Sequence, residues 1–122
     1  MMEPDETTMI GDASAAADAW MELLDAGEWA ASWRDASSLF RQMVTEEQWT
    51  DAHGKVTGVL GRALGRELRD TEHRTSIPGA PDGEYVLLKY DTRFERKEEA
   101  IETVVAMLDT DGAWHVGGYF VQ

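Results

Sequence analysis

The feature that most constrains this chain is a change of hydrophobic period near its middle. Up to about residue 63 the apolar side chains recur at the three- and four-residue spacing of a helix face, and from about residue 84 they alternate with a period of two. A chain patterned this way reads as α+β: about three helices at the N-terminal side, followed by a curved antiparallel sheet of about four strands.

Ala13, Ala16, Ala17, Trp20, Leu23 and Leu24 predict a first helix over about Thr8–Ala26, with Gly27 as its stop. Trp29, Trp33, Ala36 and Phe40 continue the period in a shorter second helix that ends near Gln42. Thr45-Glu46-Glu47-Gln48 is a capping box, in which a hydroxyl satisfies one orphan amide and the Gln side chain reaches back to another. It opens a third helix with Trp49, Ala52, Val56, Val59, Leu60 and Ala63 facing the core, ending at Gly65 or just after. Residues 1–8 are polar and acidic and read as a frayed start.

Residues 76–83, Ser-Ile-Pro-Gly-Ala-Pro-Asp-Gly, form a turn-rich loop, with a weaker strand before it at Leu68–Ile77. Beyond it, Val86, Leu88, Tyr90, Thr92 and Phe94 share one strand face, opposite Tyr85, Leu87, Lys89, Asp91 and Arg93. Ala100–Leu108 and Trp114–Val121 read as a hairpin closed by Asp111-Gly112. That turn sets Met107 opposite Val116, Val105 opposite Gly118 and Thr103 opposite Phe120. The expected core face is then Val105, Met107, Trp114, Val116 and Phe120, and Val104, Leu108, His115 and Tyr119 lie on the outside. Trp20, Trp33, Trp49, Trp114 and Phe120 are the expected core aromatics.

The 122 residues are read as one domain, 1–122, large enough to bury a core without a staple. Twenty-four acidic residues face 11 basic ones, a net charge of −13, and residues 1–33 contain no Lys or Arg. Such a surface repels phosphate backbones and anionic lipid, so nucleic-acid and membrane-surface roles are not expected. With no cysteine, thiolate catalysis and Cys-ligated zinc are excluded. No apolar run of about 18 residues is present, so membrane insertion is not expected. Met1–Ser14 has no basic n-region, so it does not read as a signal peptide, and the compartment stays unassigned.

Three stretches carry a family resemblance: Asp25-Ala26-Gly27-Glu28-Trp29 through Trp33, residues 77–85 (Ile-Pro-Gly-Ala-Pro-Asp-Gly-Glu-Tyr), and residues 109–114 with Gly118-Tyr119-Phe120. Together they resemble the bacterial domain-of-unknown-function family 4019, over about Ala13–Gln122. The resemblance implies a helices-then-curved-sheet fold similar to the cystatin-like and nuclear-transport-factor-2-like folds. It implies members that are often exported, and it implies no reaction.

Candidate chemistry is sparse. His53, His73 and His115 show no i, i+4 pair and no metal-ligand spacing, so no metal or cofactor is expected. Asp109-x-Asp111-Gly112 starts like a calcium loop, but Trp114 and Phe120 stand at its sixth and twelfth positions, where Gly and Glu are required. Asp91 and Glu102, on neighbouring strands, are a candidate carboxylate pair beside a Tyr donor, although Lys89 and Arg93 share Asp91's face. Arg62, Arg66 and Arg69 read as an anion stripe or as partners of the acidic first helix. No catalytic residue is assigned.

Two surfaces are candidates for self-association. The outer sheet face, with Val104, Leu108 and Tyr119 and contributions from Tyr85 and Leu87, would leave an apolar patch that a homodimer could bury. The alternative is the stripe Gly54, Gly58 and Gly61, continued by Gly65, on the third helix, where small residues allow close backbone approach. The leading functional reading is a non-enzymatic binding or interaction module. The alternative is a small-molecule pocket, isomerase- or hydrolase-like, enclosed by the curved sheet; a desolvated carboxylate in a deep cavity would favour it.

Overall fold

The computed structural model describes residues 5–122. Four helices, α1 (Glu6–Asp25), α2 (Trp29–Asp35), α3 (Ser38–Met43) and α4 (Glu46–Leu60), precede four strands, β1 (Ala63–Arg74), β2 (Tyr85–Phe94), β3 (Lys97–Leu108) and β4 (Trp114–Val121). The sheet is an antiparallel meander in the order β1-β2-β3-β4. Register shifts occur in all three strand pairs, at 63/65, 68/70, 92/94 and 105/106. Each extra residue bends its strand and raises the local twist, which curls the sheet.

The predicted first helix starts earlier than its apolar pattern. The Asp5 carboxylate accepts from the Thr8 amide at 2.7 Å, capping α1 and tying down residues 5–8 of the expected frayed start. Residues 1–4 of that start lie outside the described residues. Ala13, Ala17, Trp20, Met21 and Leu24 form the buried face of α1.

The predicted second helix is two helices. Ser37 takes an extended ψ of 160°, its Oγ accepts from the Phe40 amide at 3.1 Å, and its own amide donates to the Val116 carbonyl at 2.8 Å. A serine hydroxyl offers the backbone an alternative to the helix ladder, and here that alternative wins. The predicted third helix also ends sooner. Gly61 caps α4 with φ of 78°, and Ala63 and Gly65, expected in the helix, belong to β1. The capping box at Thr45 and Gln48 forms as its spacing requires.

On β2 the alternation is obeyed: Val86, Leu88, Tyr90, Thr92 and Phe94 are all buried. The hairpin departs from expectation in its face and in its register near the turn: Val104 and Ala106, not Val105 and Met107, point to the core. Val105 faces Gly118 and Thr103 faces Phe120 as predicted, but Ala106 pairs with Val116 and Met107 with His115, leaving Gly117 as the extra residue. A single insertion reverses side-chain parity along a strand. Val116 and Tyr119 therefore share one face, the inner one set by Val104 and Ala106, and Phe120 is 60% exposed instead of buried.

Trp20, fully buried, sits at the centre of the core between the helices and the sheet. Its ring lies 5.7 Å from that of Trp49 and 5.6 Å from that of Tyr119. The indole N–H groups find acceptors on one short segment: Trp20 Nε1 donates to the Ser32 carbonyl at 2.8 Å and Trp49 Nε1 to Ser32 Oγ at 2.9 Å. Ser32 is itself fully buried and donates to the Trp29 carbonyl, so the aromatic core carries a satisfied polar thread.

Candidate functional site

Along α4, Trp49 and His53 are one turn apart and are the two buried residues of that helix. Val56 and Leu60 continue that face half-buried, while Ala52 and Val59, predicted to point inward, are exposed. His53 thus occupies a core-facing position. Its imidazole stacks on Trp49 at 5.4 Å, meets the Trp29 ring edge-on at 5.4 Å and lies 5.9 Å from the Tyr119 ring. Its Nδ1 is buried with no hydrogen-bond partner among the described residues. Desolvation pulls its pKa below the usual histidine value, against the attraction of Glu102 and Asp25, so the ring is neutral at pH 7.

Glu102 shares its β3 face with Ala100, Val104 and Ala106, which parity turns toward the helices, and it is 1% exposed. A carboxylate buried this far is costly unless it is paired and hydrogen-bonded. Arg66 Nε donates to Oε1 at 2.6 Å, Thr92 Oγ1 donates to the same oxygen at 2.6 Å, and the Tyr119 hydroxyl donates to Oε2. Arg66 then forks its two terminal nitrogens onto Asp25 at the end of α1, at 2.9 and 3.2 Å. Burial works against the Arg66 cation, but the two carboxylates outweigh it and hold the guanidinium charged. Burial first, and Glu102 second, push the Tyr119 hydroxyl far above the usual phenol range.

These groups border a cleft of about 540 Å³ at the end of the sheet where α1 and α4 both terminate. Leu24, Trp29, Val56, Leu64 and Phe94 supply apolar wall, and His53, Arg66, Glu102 and Tyr119 supply the polar part. A concave, mostly apolar site with a few convergent polar groups is the usual form of a small-molecule site.

A family model described as "Protein of unknown function (DUF4019)" matches residues 16–119. The chain belongs to this family. The match agrees with the resemblance carried by the Gly27-Glu28-Trp29, Pro-Gly-Ala-Pro-Asp-Gly and Asp111-Gly112 stretches. A search of curated proteins finds no match. Within this DUF4019 chain the matched span holds every polar group of the cleft, from Asp25 to Tyr119.

Several residues singled out from the sequence of this family member lie elsewhere than expected. Val104 is fully buried and Tyr119 packs on the core, so neither is on an outer face. Val104 pairs with Leu88 and takes Leu88's inward face. Tyr85 does have outer parity, but it is 2% exposed, because its hydroxyl donates to the Pro81 carbonyl and the 76–83 loop folds against it. Leu87 is half-buried and Leu108 is 37% exposed. The apolar face postulated for a homodimer is therefore mostly interior.

The glycine stripe dissolves too. Gly54 lies against Trp29, at 3.4 Å from where a Cβ would stand; Gly61 is the helix cap beside Glu95; Gly65 is in β1. Only Gly58 faces open space from within α4.

Asp91 and Glu102 do not meet, since Asp91 pairs with Ile101 and points to the exposed face, where Arg69 lies at 3.4 Å. Arg62, Arg66 and Arg69 are not on a helix, and Arg66 alone reaches the acidic first helix; Arg62 lies 3.5 Å from Glu95. Asp109, Asp111 and His115 bring ligand atoms within 4.8 Å of one another. Each is occupied: Asp109 accepts from the Ser38 amide and hydroxyl at the start of α3, and Asp111 accepts from the Ala113 amide and from His115. His73 pairs with Glu84.

Sequence patterning did not mark His53 as a site residue. The signal it carried was its i, i+4 relation to Trp49, which places a ring on the tryptophan face of α4. The expected register already pairs Val104 with Tyr119 and so puts Glu102 on the same face, but nothing in the sequence marks that face as the one that meets the helices.

Proposed function

We propose that this chain is a small-molecule-binding domain, with its ligand held in the cleft between the ends of α1 and α4 and the curled sheet. One observation carries this reading: His53, 7% exposed, lines the cleft and keeps an unpartnered ring nitrogen among Trp29, Trp49 and Tyr119. Buried polar groups are nearly always hydrogen-bonded, so one left open beside a cleft is matched by something that enters it. Binding is favoured over turnover. Glu102, the buried carboxylate, already accepts from Arg66, Thr92 and Tyr119, which fixes it as an anchor for the sheet end. Protein association through the Val104/Leu108/Tyr119 face is not favoured, because Val104 and Tyr85 are buried within the protomer and Tyr119 packs on the core.

The test is a fragment screen read by amide nuclear magnetic resonance, repeated on Val56→Trp, which fills the cleft. Binders should shift signals of Trp29, His53, Arg66 and Tyr119, and those shifts should vanish in the variant. A screen in which no fragment reaches these residues, or in which Val56→Trp changes nothing, refutes the reading.

A further inference from the structure

Resting on that reading of the cleft, we infer that its ligand is an uncharged, ring-containing molecule that offers one hydrogen-bonding group to His53. The argument is one of charge and polar accounting. Among the described residues four charged side chains border the cleft, and each is already matched within the protein. Arg66 is shared between Asp25 and Glu102 through contacts of 2.6 to 3.2 Å, and Arg62 turns to Glu95, whose Oε1 lies 3.5 Å from its Nε and also accepts from its backbone amide at 2.7 Å. Asp25 and Glu102 offset Arg66 and Arg62, so the wall carries no net charge.

A charged ligand would lose its hydration on entry and find no free counter-charge in return. To gain one it would have to draw the solvent-screened Arg62 from Glu95, for little return, or break the Asp25–Arg66–Glu102 chain, which strands a buried ion. An anion would in addition approach a molecule of net charge −13. An uncharged ligand meets none of these costs.

The rings set the shape. Trp29 and Tyr119 stand with His53 around the cleft, each within 5.9 Å of the imidazole by ring centroids, and Leu24, Val56 and Phe94 close the remainder. A flat ring fills such a space with edge or offset contacts, the arrangements aromatic groups prefer. The polar requirement is small: a neutral imidazole has one ring N–H and one lone pair, neither His53 nitrogen has a partner among the described residues, and with Nδ1 shut in the core Nε2 is the one a ligand meets. The depressed pKa of His53 keeps that imidazole neutral at pH 7 and consistent with an uncharged ligand.

Four probes built on one bicyclic ring frame test this by amide nuclear magnetic resonance and calorimetry on the full chain at pH 7.5: indole, its isostere benzofuran, and the side-chain-bearing tryptamine and indole-3-acetate. Indole should shift Trp29, His53 and Tyr119 and bind at least about tenfold more tightly than the cation or the anion, as the cost of dehydrating an unmatched charge implies. Benzofuran, which lacks the N–H, should bind more weakly than indole, and His53→Phe should reduce indole to the level of benzofuran. The Phe keeps the stack on Trp49 and removes a nitrogen that has no partner, so the variant should fold. Tryptamine or indole-3-acetate binding at the same residues as tightly as indole overturns the inferred ligand class and leaves the cleft as the site. Equal affinity of indole and benzofuran overturns the hydrogen bond to His53. Shifts outside the cleft, or none with any probe, overturn both the ligand class and the reading of the cleft.

Discussion

Arg66 on β1 reaches past β2 to Glu102 on β3, with Nε 2.6 Å from Oε1, and Thr92 on the strand between them donates to the same oxygen. The pair is 17% and 1% exposed at its two side chains, so it is a buried ion pair with its hydrogen bonds filled. Through Glu102, which also accepts from Tyr119 on β4, all four strands are tied to one guanidinium, and through Asp25 so is the end of α1.

Arg66→Met should therefore be severe. Removing one member of a buried pair strands the other and costs about 3–5 kcal/mol. Adding Glu102→Gln to Arg66→Met should recover part of that loss, because no charge is then left alone. Chemical denaturation of the two singles and the double gives the coupling; strictly additive losses would show that the pair acts as two independent contacts.

Two histidines should pull stability in opposite directions with pH. His53 has a folded pKa below its unfolded value of about 6.5. Its contribution is present above pH ~6.5 and is lost as pH falls toward the folded pKa, because the unfolded chain binds the proton first. For His115 desolvation lowers the pKa, but hydrogen bonds to Asp111 and to the Asp35 carbonyl outweigh it and raise it. Its contribution is complete below pH ~6.5 and is lost as pH rises through the raised value. Ring-proton titration should find His53 below 6.5 and His115 above it, with Asp111→Asn bringing His115 down. A His53 that titrates above 6.5 contradicts its burial among the three aromatic rings.

Gly58 and Gly61 should respond oppositely to alanine. Gly58 is inside α4 with nothing within 4 Å of a new Cβ, so Gly58→Ala should stabilise by about 0.5–1 kcal/mol. Gly61 has φ of 78°, and its Cβ would stand 2.7 Å from that of Glu95. Gly61→Ala should destabilise by roughly 1–3 kcal/mol from the positive-φ, extended-ψ backbone alone, and more if Glu95 cannot move. Thermal melts decide both, and a destabilised Gly58→Ala would return that face to consideration as a contact surface.

Trp20 and Phe120 separate core from surface. Trp20→Ala removes a fully buried ring and should cost about 3–5 kcal/mol. Phe120→Ala, at a side chain 60% exposed, should cost under about 1 kcal/mol. A large loss at Phe120 would mean that the β4 face assignment is wrong.

Local chemistry makes much of this protein legible in its sequence. The Thr45–Gln48 capping box, the Gly27 stop and the β2 alternation each depend on residues within a few positions of one another, and each forms as read. The Asp111-Gly112 signal marks the hairpin, but the turn takes three residues, 110–112, between Asp109 and Ala113, so Met107 meets His115 instead of Val116. The break at Ser37 was readable in kind, since serine caps helices, but the Trp29–Phe40 period masked it. Which face of the hairpin meets the helices was not readable. Gly117 looks like any strand glycine, yet a Cβ there would stand 2.9 Å from Met107 Sδ, and its insertion lets Val116 and Tyr119 share the inner face. The cleft follows from β3 presenting Glu102 and Val104 to the helices, with Tyr119 opposite Val104. His53, Arg66, Glu102 and Tyr119 lie on one helix and three strands, and their meeting depends on register and curl summed over the sheet. Period and capping are set by neighbours in sequence; parity across a bulge is set by the partner strand, and only the assembled sheet supplies it.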